Sequence, residues 1–195
     1  MTNRLNTGKI IIDLCWGTGA WSEPYRQAGY TVIGIDLPID VRTWEGYMNI
    51  YPYGILAAPP CTHLAGSGAR WWKGKGDQTL VEAMSVVDAC IRIINYCKAR
   101  GERDGKPLIF HALENPVGRL VRYIGKPVMY FNPCDYGDPW TKKTCLWGEF
   151  NIPVKTQVAP VGKNPIWNMP PSPDRAKLRS ITPPGFAKAF FKVNK

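Results

Sequence analysis

The feature that most constrains the fold of this chain is a strand–turn–helix–strand pattern near its N-terminus. A short apolar run, Lys9–Asp13, leads into a glycine-punctuated turn at Cys15–Gly19. Trp21–Ala28 then predicts a helix that ends at Gly29, and Thr31–Asp36 predicts a second buried strand. Because strands joined through a helix pair in parallel, the chain is expected to open with a β-α-β unit.

The alternation of strands and helices continues along the chain. Gly54–Ala58 and Leu108–Leu113 predict buried strands, and Asp77–Arg100 carries the longest helical pattern. Val128–Phe131 and Thr144–Trp147 predict two closing strands that pair as a hairpin. We therefore expect a single Rossmann-like α/β domain with a mostly parallel central sheet, an antiparallel hairpin at one edge, and helices on both faces.

The first two predicted strands both end in an acid, with a Gly-x-Gly turn between them. Asp13 precedes Gly17 and Gly19, and Asp36 closes the second strand. Such a turn lets a ligand approach the backbone, and the second acid accepts hydrogen bonds from ribose hydroxyls. The pattern is shared with nicotinamide and flavin enzymes, and a tight turn that binds nothing also explains the glycines.

Three residues near this turn favour an adenosyl ligand that has no phosphates. The dinucleotide fingerprint requires a third glycine, where this chain has Ser22. Trp16 and Glu23 would disfavour a pyrophosphate at the start of the helix, one through its bulk and the other through its charge.

Chemically useful side chains follow four of the predicted strands. They are Asp13, Asp36, Cys61 and Glu114. Because the carboxyl ends of parallel strands share one edge of a sheet, and ligands bind at that edge, we expect an active site there.

Several motifs resemble those of the DNA (cytosine-5) methyltransferases. Ala57–Cys61 ends in the Pro-Cys dipeptide of that family, and Leu113–Pro116 contains its Glu-Asn dipeptide. Asp13–Ala20 is similar to the family's Asp-Leu-Phe-x-Gly-x-Gly-Gly motif. Asp40-Val41 stands where the family has the acid that binds the adenine amino group. The resemblance covers roughly residues 9–150.

The resemblance implies S-adenosyl-L-methionine as the cofactor and a Rossmann-like methyltransferase domain. Together with the turn described above, it implies a cofactor site formed by Asp13, Cys15, Trp16, Gly17, Thr18, Gly19, Asp36, Leu37, Asp40, Val41 and Pro60.

The chemistry of cytosine explains why a thiol and a carboxyl group are needed. Carbon 5 is a poor nucleophile, so the thiolate of Cys61 first adds to carbon 6. A protonated Glu114 then neutralises the charge that develops at ring nitrogen 3. Asn115 would hold the loop in place. The expected activity is methylation of carbon 5 of cytosine in DNA.

The segment Thr62–Trp72 is polar and glycine-punctuated, as expected of a loop that closes over a base flipped from double-stranded DNA. Trp71 and Trp72 are interpreted either as wedging or stacking residues or as core residues. Trp140–Thr144 is the nearest counterpart of the family's Gln-x-Arg-x-Arg motif, although two solvated lysines in a turn are an equal alternative. The predicted nucleic-acid contacts are His63, Ser67, Arg70, Lys142 and Lys143.

Composition restricts the partners and the compartment. A net charge of +10, with eight tryptophans, favours nucleic acid as the partner, and a merely basic protein is the alternative. No apolar run approaches the roughly 18 residues of a membrane span, and no export signal is visible, so we expect no membrane partner. Six cysteines are expected to be reduced thiols, and His63 and His111 complete no zinc-ligand spacing, so no metal is expected.

The chain departs from the family where DNA sequence is read. Residues 9–150 form the expected catalytic core, 151–178 form an irregular segment in place of a target-recognition domain, and 179–195 form a closing helix. Arg179–Gly185 resembles the last family motif only weakly. We expect a minimal, phage-like member in the cytoplasm of a bacterial or phage-infected host cell. A protein partner is one source from which it could borrow sequence recognition.

Two other functions fit the same residues. A catalytically inert nucleic-acid-binding protein would keep the scaffold and its basic surface. A cysteine hydrolase would use Cys61 with His111 and an acid, and would bind no adenosyl cofactor.

Overall fold

The computed structural model describes residues 6–162 and 172–195, which form an α/β fold with a six-stranded sheet. The strands are β1 (Ile10–Leu14), β2 (Thr31–Ile35), β3 (Gly54–Ala57), β4 (Phe110–Pro116), β5 (Met129–Phe131) and β6 (Thr144–Glu149). The helices are α1 (Glu23–Gln27), α2 (Trp72–Arg103), α3 (Val121–Ile124), α4 (Pro173–Ser180) and α5 (Pro184–Val193).

The sheet has the strand order β2-β1-β3-β4-β6-β5. The first four strands in this order pair in parallel, whereas β6 runs antiparallel to both β4 and β5. The expected mostly parallel sheet with an antiparallel hairpin at one edge is therefore confirmed. The arrangement fits Rossmann-like folds in general.

Burial of the sheet on both faces explains the continuous apolar runs of its central strands. Along β1, Ile12 and Leu14 lie in one core cluster and Ile11 lies in the other, as expected when successive side chains alternate. The first cluster packs against α2 through Cys90 and Ile94. The second packs against α1 and α5 on the opposite face.

Helix α2 contains a break in its first turns. Gly76 has φ 74° and ψ 171°, which are not helical values. The sequence pattern predicted a helix over Asp77–Arg100, and the uninterrupted part of α2 begins directly after Gly76. The residues before it, from Trp72, form a separate short turn of helix.

The C-terminal helix α5 closes the second face, as the sequence predicted. Phe186 and Phe190 are fully buried. The ring of Phe186 stacks on that of Phe131 with centroids 3.9 Å apart, and Phe190 lies edge-on to Trp21 and Phe110. Helix α5 therefore ties the hairpin to the parallel part of the sheet.

The segment expected to be irregular contains a helix. Helix α4 occupies the end of the predicted irregular stretch 151–178, of which residues 163–171 lie outside the described part of the chain. Residues 151–162 are irregular as expected, and backbone hydrogen bonds fasten them along the turn after β5. Thr156 and Val158 donate to Asp135 and Cys134 at 2.9 Å each.

No helix within residues 6–162 and 172–195 combines the length and the apolar character needed to cross a membrane.

Removing one of the stacked rings tests the role of α5. Phe186→Ala should lower the free energy of unfolding by about 3–5 kcal/mol, because a fully buried aromatic side chain leaves a cavity. Urea denaturation followed by circular dichroism measures this loss. Lys192→Ala, on the same helix but exposed, should change it by less than about 0.5 kcal/mol. Equal effects in the two variants would contradict this account of the core.

Candidate active site

The turn after β1 is held by the acid at the end of β2. Cys15, Gly17 and Gly19 have φ values of 59°, 55° and 71°, a region in which glycine is unstrained and other residues are uncommon. The backbone N–H of Gly17 donates to Asp36 Oδ2 at 2.8 Å, and that of Leu37 donates to Asp36 Oδ1 at 3.0 Å. The Asp36 carboxylate thus joins the two strand ends.

A pocket of about 120 Å³ lies beside this turn. Six of the eleven predicted cofactor residues line it, namely Cys15, Asp36, Leu37, Asp40, Val41 and Pro60. Four other residues that the sequence analysis missed also line it, namely Ile35, Ile39, Arg42 and Val86. Leu37 and Ile39 are 79% and 50% exposed, so apolar side chains border the pocket where a flat ring could pack.

Asp40 is paired within the pocket wall. Its carboxylate accepts two hydrogen bonds from Arg42 Nε, at 3.0 and 2.9 Å, and one from the Arg42 backbone N–H at 2.9 Å. The side-chain hydrogen bonds from Arg42 lower the pKa of Asp40, and the backbone bond lowers it further. A ligand amino group that bound Asp40 would therefore share it with Arg42.

The other five predicted cofactor residues do not line the pocket. The Trp16 ring packs closely against Gly34 and Gly19. A Cβ atom added at Gly34 would lie 2.2 Å from this ring, and one added at Gly19 would lie 2.4 Å from it. Gly17 and Gly19 shape the turn, and Thr18 is exposed.

Asp13 is almost fully buried at the end of β1. Burial raises the pKa of its carboxyl group to about 7, the negative charge of Asp36 adds to the rise, and a hydrogen bond from Ser22 opposes it. Asp13 therefore supports the turn from inside the protein, and its carboxyl group is partly protonated near pH 7.

A second, larger cavity of about 350 Å³ lies at the carboxyl ends of β3 and β4. Its size falls in the range of small-ligand sites. The predicted residues Cys61, Ser67, Lys142 and Lys143 all line it. The remaining lining residues are Ala65, Pro116, Val117, Asn132, Thr141 and Arg179.

Cys61, Glu114 and Lys142 form one electrostatic cluster. Burial raises the pKa of the Cys61 thiol, the charge of Glu114 raises it further, and the cations of Lys142 and Arg179 oppose the rise. Burial also raises the pKa of Glu114, again against the charge of Lys142. A protonated Glu114 exerts no such repulsion, so keeping its proton favours the thiolate of Cys61.

The two lysines of the predicted pair differ. Lys142 is half-buried, donates from Nζ to the backbone oxygen of Arg179 at 3.2 Å, and acts on Cys61 and Glu114. Lys143 is exposed, and its Nζ lies 5.4 Å from the ring centroid of Tyr130. Lys142 is thus the cation of the cluster, a distinction that the sequence could not make.

Asn115 joins the loop that carries Cys61 to β4. It is fully buried, and its Nδ2 donates to the backbone oxygen of Pro59 at 2.9 Å. Its Oδ1 is also buried and has no hydrogen-bond partner among the residues that the structure describes. The predicted loop-holding contact of Asn115 is therefore present.

Backbone hydrogen bonds form a second connection between the segment after Cys61 and the segment after β4. Gly66 N–H donates to the oxygen of Val117 at 2.8 Å, and Arg119 N–H donates to that of Leu64 at 2.9 Å. A Cβ at Gly118 would lie 2.0 Å from the Leu64 oxygen, so only glycine permits this approach. The segment after β4 thus fixes the segment after Cys61.

Arg119 strengthens this connection through its side chain. Its Nε donates to the His63 backbone oxygen at 2.8 Å, and its guanidinium carbon lies 4.5 Å from the ring centroid of Trp72. Sequence reasoning did not single out Arg119. Its only signal was its position shortly after the Glu-Asn dipeptide.

The other two predicted nucleic-acid contacts, His63 and Arg70, do not line the cavity. Burial lowers the pKa of His63, and the charges of Lys75 and Arg119 lower it further. Arg70 is exposed, with its guanidinium carbon 5.0 Å from the ring centroid of Trp71.

His111 belongs to a different part of the sheet. It lies three residues before Glu114 on β4, opposite Glu149, with whose charge it interacts. A strand rises about 3.3 Å per residue, which places His111 roughly 10 Å from Glu114 along β4. The geometry therefore does not favour a Cys61–His111 pair.

No group of three histidine, cysteine or acidic residues is placed to hold a metal ion in the described ranges 6–162 and 172–195. No protein-family model and no curated protein sequence matches the chain. The site's chemistry therefore rests on its own residues.

The buried Asp13 predicts a pH-dependent stability. Between about pH 4 and 7 the folded protein keeps a proton on Asp13 that the unfolded chain releases, so the contribution of Asp13 to wild-type stability falls as the pH rises through that window. Asp13→Asn removes this titration. Its stability relative to wild type should increase from pH 4 to 7, by up to about 4 kcal/mol, and then stay level. Urea denaturation across pH 4–8 measures it, and a constant difference would contradict the burial argument.

The two lysines give a matched test of the cluster. Lys142→Met should raise the pKa of Cys61 and slow its alkylation by iodoacetamide at pH 8 by about threefold or more, because the thiolate is the reacting form. Lys143→Met should change the rate little. Peptide mass spectrometry resolves Cys61 from the other thiols. Equal slowing in both variants would show that general surface charge, and not Lys142, acts on the thiol.

Proposed function

We propose that this protein transfers a methyl group from S-adenosyl-L-methionine to carbon 5 of cytosine in DNA, through a covalent adduct with Cys61. The observation that carries the proposal is the cluster of Cys61, Glu114 and Lys142 beside a cavity that suits one small ring. The motifs that resemble the DNA (cytosine-5) methyltransferases point to the same chemistry.

We assign the adenosyl part of the cofactor to the turn after β1, where the smaller pocket would hold a portion of it. Asp36 offers carboxylate oxygens at the end of β2, and the exposed side chains of Leu37 and Ile39 offer apolar surface for a purine. Cys15 and Pro60 connect this pocket to the turn and to the Cys61 loop. When bound, the sulfonium supplies an electrophilic methyl group.

Two residues would act on the cytosine ring: Cys61, which lines the larger cavity, and Glu114, which does not line it but interacts with Cys61. The sulfur of Cys61 forms a bond to carbon 6, and the electron pair moves toward carbon 5 and nitrogen 3. Glu114 donates its proton toward nitrogen 3, which limits the charge on the ring. After methylation, a base removes the carbon 5 proton and cleavage of the carbon–sulfur bond releases the thiolate of Cys61. The proton on nitrogen 3 returns to Glu114, which restores the aromatic ring and the carboxyl group.

The raised pKa values of the two acids bear differently on these roles. The raised pKa of Glu114 favours its protonated form, which is the form that donates a proton. The pKa of Cys61 is raised even against the charges of Lys142 and Arg179, so the thiolate must form when the substrate binds.

Mechanism-based trapping tests the proposal. DNA that contains 5-fluorocytosine, with the cofactor, should form a denaturation-resistant adduct on Cys61, because fluorine at carbon 5 blocks the final elimination. Cys61→Ala should abolish the adduct, and Glu114→Gln should slow it by about 100-fold or more. Gel electrophoresis and peptide mass spectrometry detect it.

Cys97→Ala is the matched control, since Cys97 is a core thiol on α2 and should leave trapping intact. An inert nucleic-acid-binding protein would form no adduct with any DNA. That result, obtained with folded wild-type protein, would overturn the proposed activity.

A further inference from the structure

Two adjacent tryptophans follow the Cys61 loop, and the structure places them in different environments. Trp72 is half-buried under the guanidinium of Arg119. Trp71 is 58% exposed, at the end of the 3-10 helix Gly66–Trp71. Trp72 therefore serves the internal packing of the loop, whereas Trp71 presents a ring to solvent.

The exposed ring lies close to the larger cavity. Ser67 lines that cavity and stands four residues before Trp71 on the same 3-10 helix. A 3-10 helix rises about 2 Å per residue, so the two residues are separated by roughly 8 Å along the axis. A nucleotide next to a base held in the cavity would reach the ring.

Positive charge surrounds the ring. Arg70 lies against it, and Lys73 and Lys75 are exposed on the following turn. None of these three cations forms an ion pair with a residue in the described part of the chain. Lys142, Lys143 and Arg179 stand around the cavity itself. Cations thus lie both next to the Trp71 ring and around the cavity that Cys61 lines, and they would attract the phosphates of a strand.

We infer that Trp71, with Arg70, Lys73 and Lys75, is a base-stacking platform for an unpaired strand, so that the substrate of the proposed methyl transfer is single-stranded DNA. This inference rests on the proposed function for the methyl-transfer reaction. The binding of the strand is argued from residues outside the Cys61, Glu114 and Lys142 cluster. An exposed aromatic ring recognises the face of a base. In a duplex those faces are covered by neighbouring bases, whereas in a single strand they are accessible.

Energetics favour the same substrate. A base that reacts inside a cavity must leave its stack, and extrusion from a duplex costs free energy that an unpaired cytosine does not require. Stacking on Trp71 would offset part of the cost of ordering the strand. An enzyme that acts on a single strand therefore needs no additional protein surface for opening a duplex.

Binding of matched oligonucleotides tests the inference. The 195-residue chain is titrated into a fluorescein-labelled 12-nucleotide strand with one cytosine, or into the same strand in a duplex, at 150 mM salt. Fluorescence anisotropy should show at least tenfold tighter binding of the strand. Trp71→Ala should weaken strand binding by about tenfold, and Trp71→Phe should retain most of the affinity, because stacking tolerates any aromatic ring.

Tyr51→Ala is the matched control. Tyr51 also carries a guanidinium over its ring, that of Arg100 at 4.0 Å, but it lies before β3 at the opposite edge of the sheet. Its removal should leave strand affinity unchanged, and thermal melting checks that each variant is folded. Duplex binding as tight as strand binding, or an unaltered affinity in Trp71→Ala, would overturn the platform.

Rates of transfer from labelled cofactor separate this inference from the proposed function. Faster methylation of the strand than of the duplex, reduced by Trp71→Ala at low strand concentration, supports both. Methylation that prefers the duplex and does not depend on Trp71 would overturn the inference and leave the function standing. Strand binding through Trp71 without any methyl transfer would overturn the function alone.

Discussion

The parallel pairing of β3 with β4 is the constraint on which the candidate site depends. Its register sets Ala57 opposite Leu113, so the Cys61 loop and Glu114 leave the sheet at the same edge. The hydrogen bond from Asn115 to Pro59 and the close approach of Gly118 to Leu64 then fix the loop against β4. Without this pairing, the thiol of Cys61 and the carboxyl group of Glu114 would not lie at the same edge of the sheet.

Burial at that edge has opposite chemical consequences for the two acids. The same desolvation that raises the pKa of Glu114, where a proton donor is needed, also raises the pKa of Cys61, where a thiolate is needed. One nearby cation, Lys142, acts on both groups, and its own position is set by a carbonyl at the end of α4. The last residues of α4 thus contribute to the electrostatics of a site built mainly from β3 and β4.

The sequence predicted the features that local patterns determine. Continuous apolar runs predicted the parallel strands, because a sheet buried on both faces needs continuous apolar residues. Helix α4 was missed because Pro173–Ser180 is mostly polar and has no strong amphipathic pattern. The connection at Gly118 was missed because it joins residues 54 positions apart in the chain, and no local signal reports such an approach. The pairing of Asp40 with Arg42 involves neighbours, and their spacing alone could have suggested it.

The dipeptide Trp71-Trp72 shows why residue type alone does not assign a role at such a site. Both rings lie beside an arginine, yet Arg119 reaches Trp72 from β4's side and buries it, while Arg70 precedes Trp71 and leaves its ring in solvent. The first arrangement holds the Cys61 loop in place through contacts within the protein. Because that loop is held by Trp72, Arg119 and Gly118, Trp71 is not needed for packing, and its ring is accessible to a base. A rigid loop with one exposed ring at its end binds a strand without the entropy cost of ordering the loop at the same time.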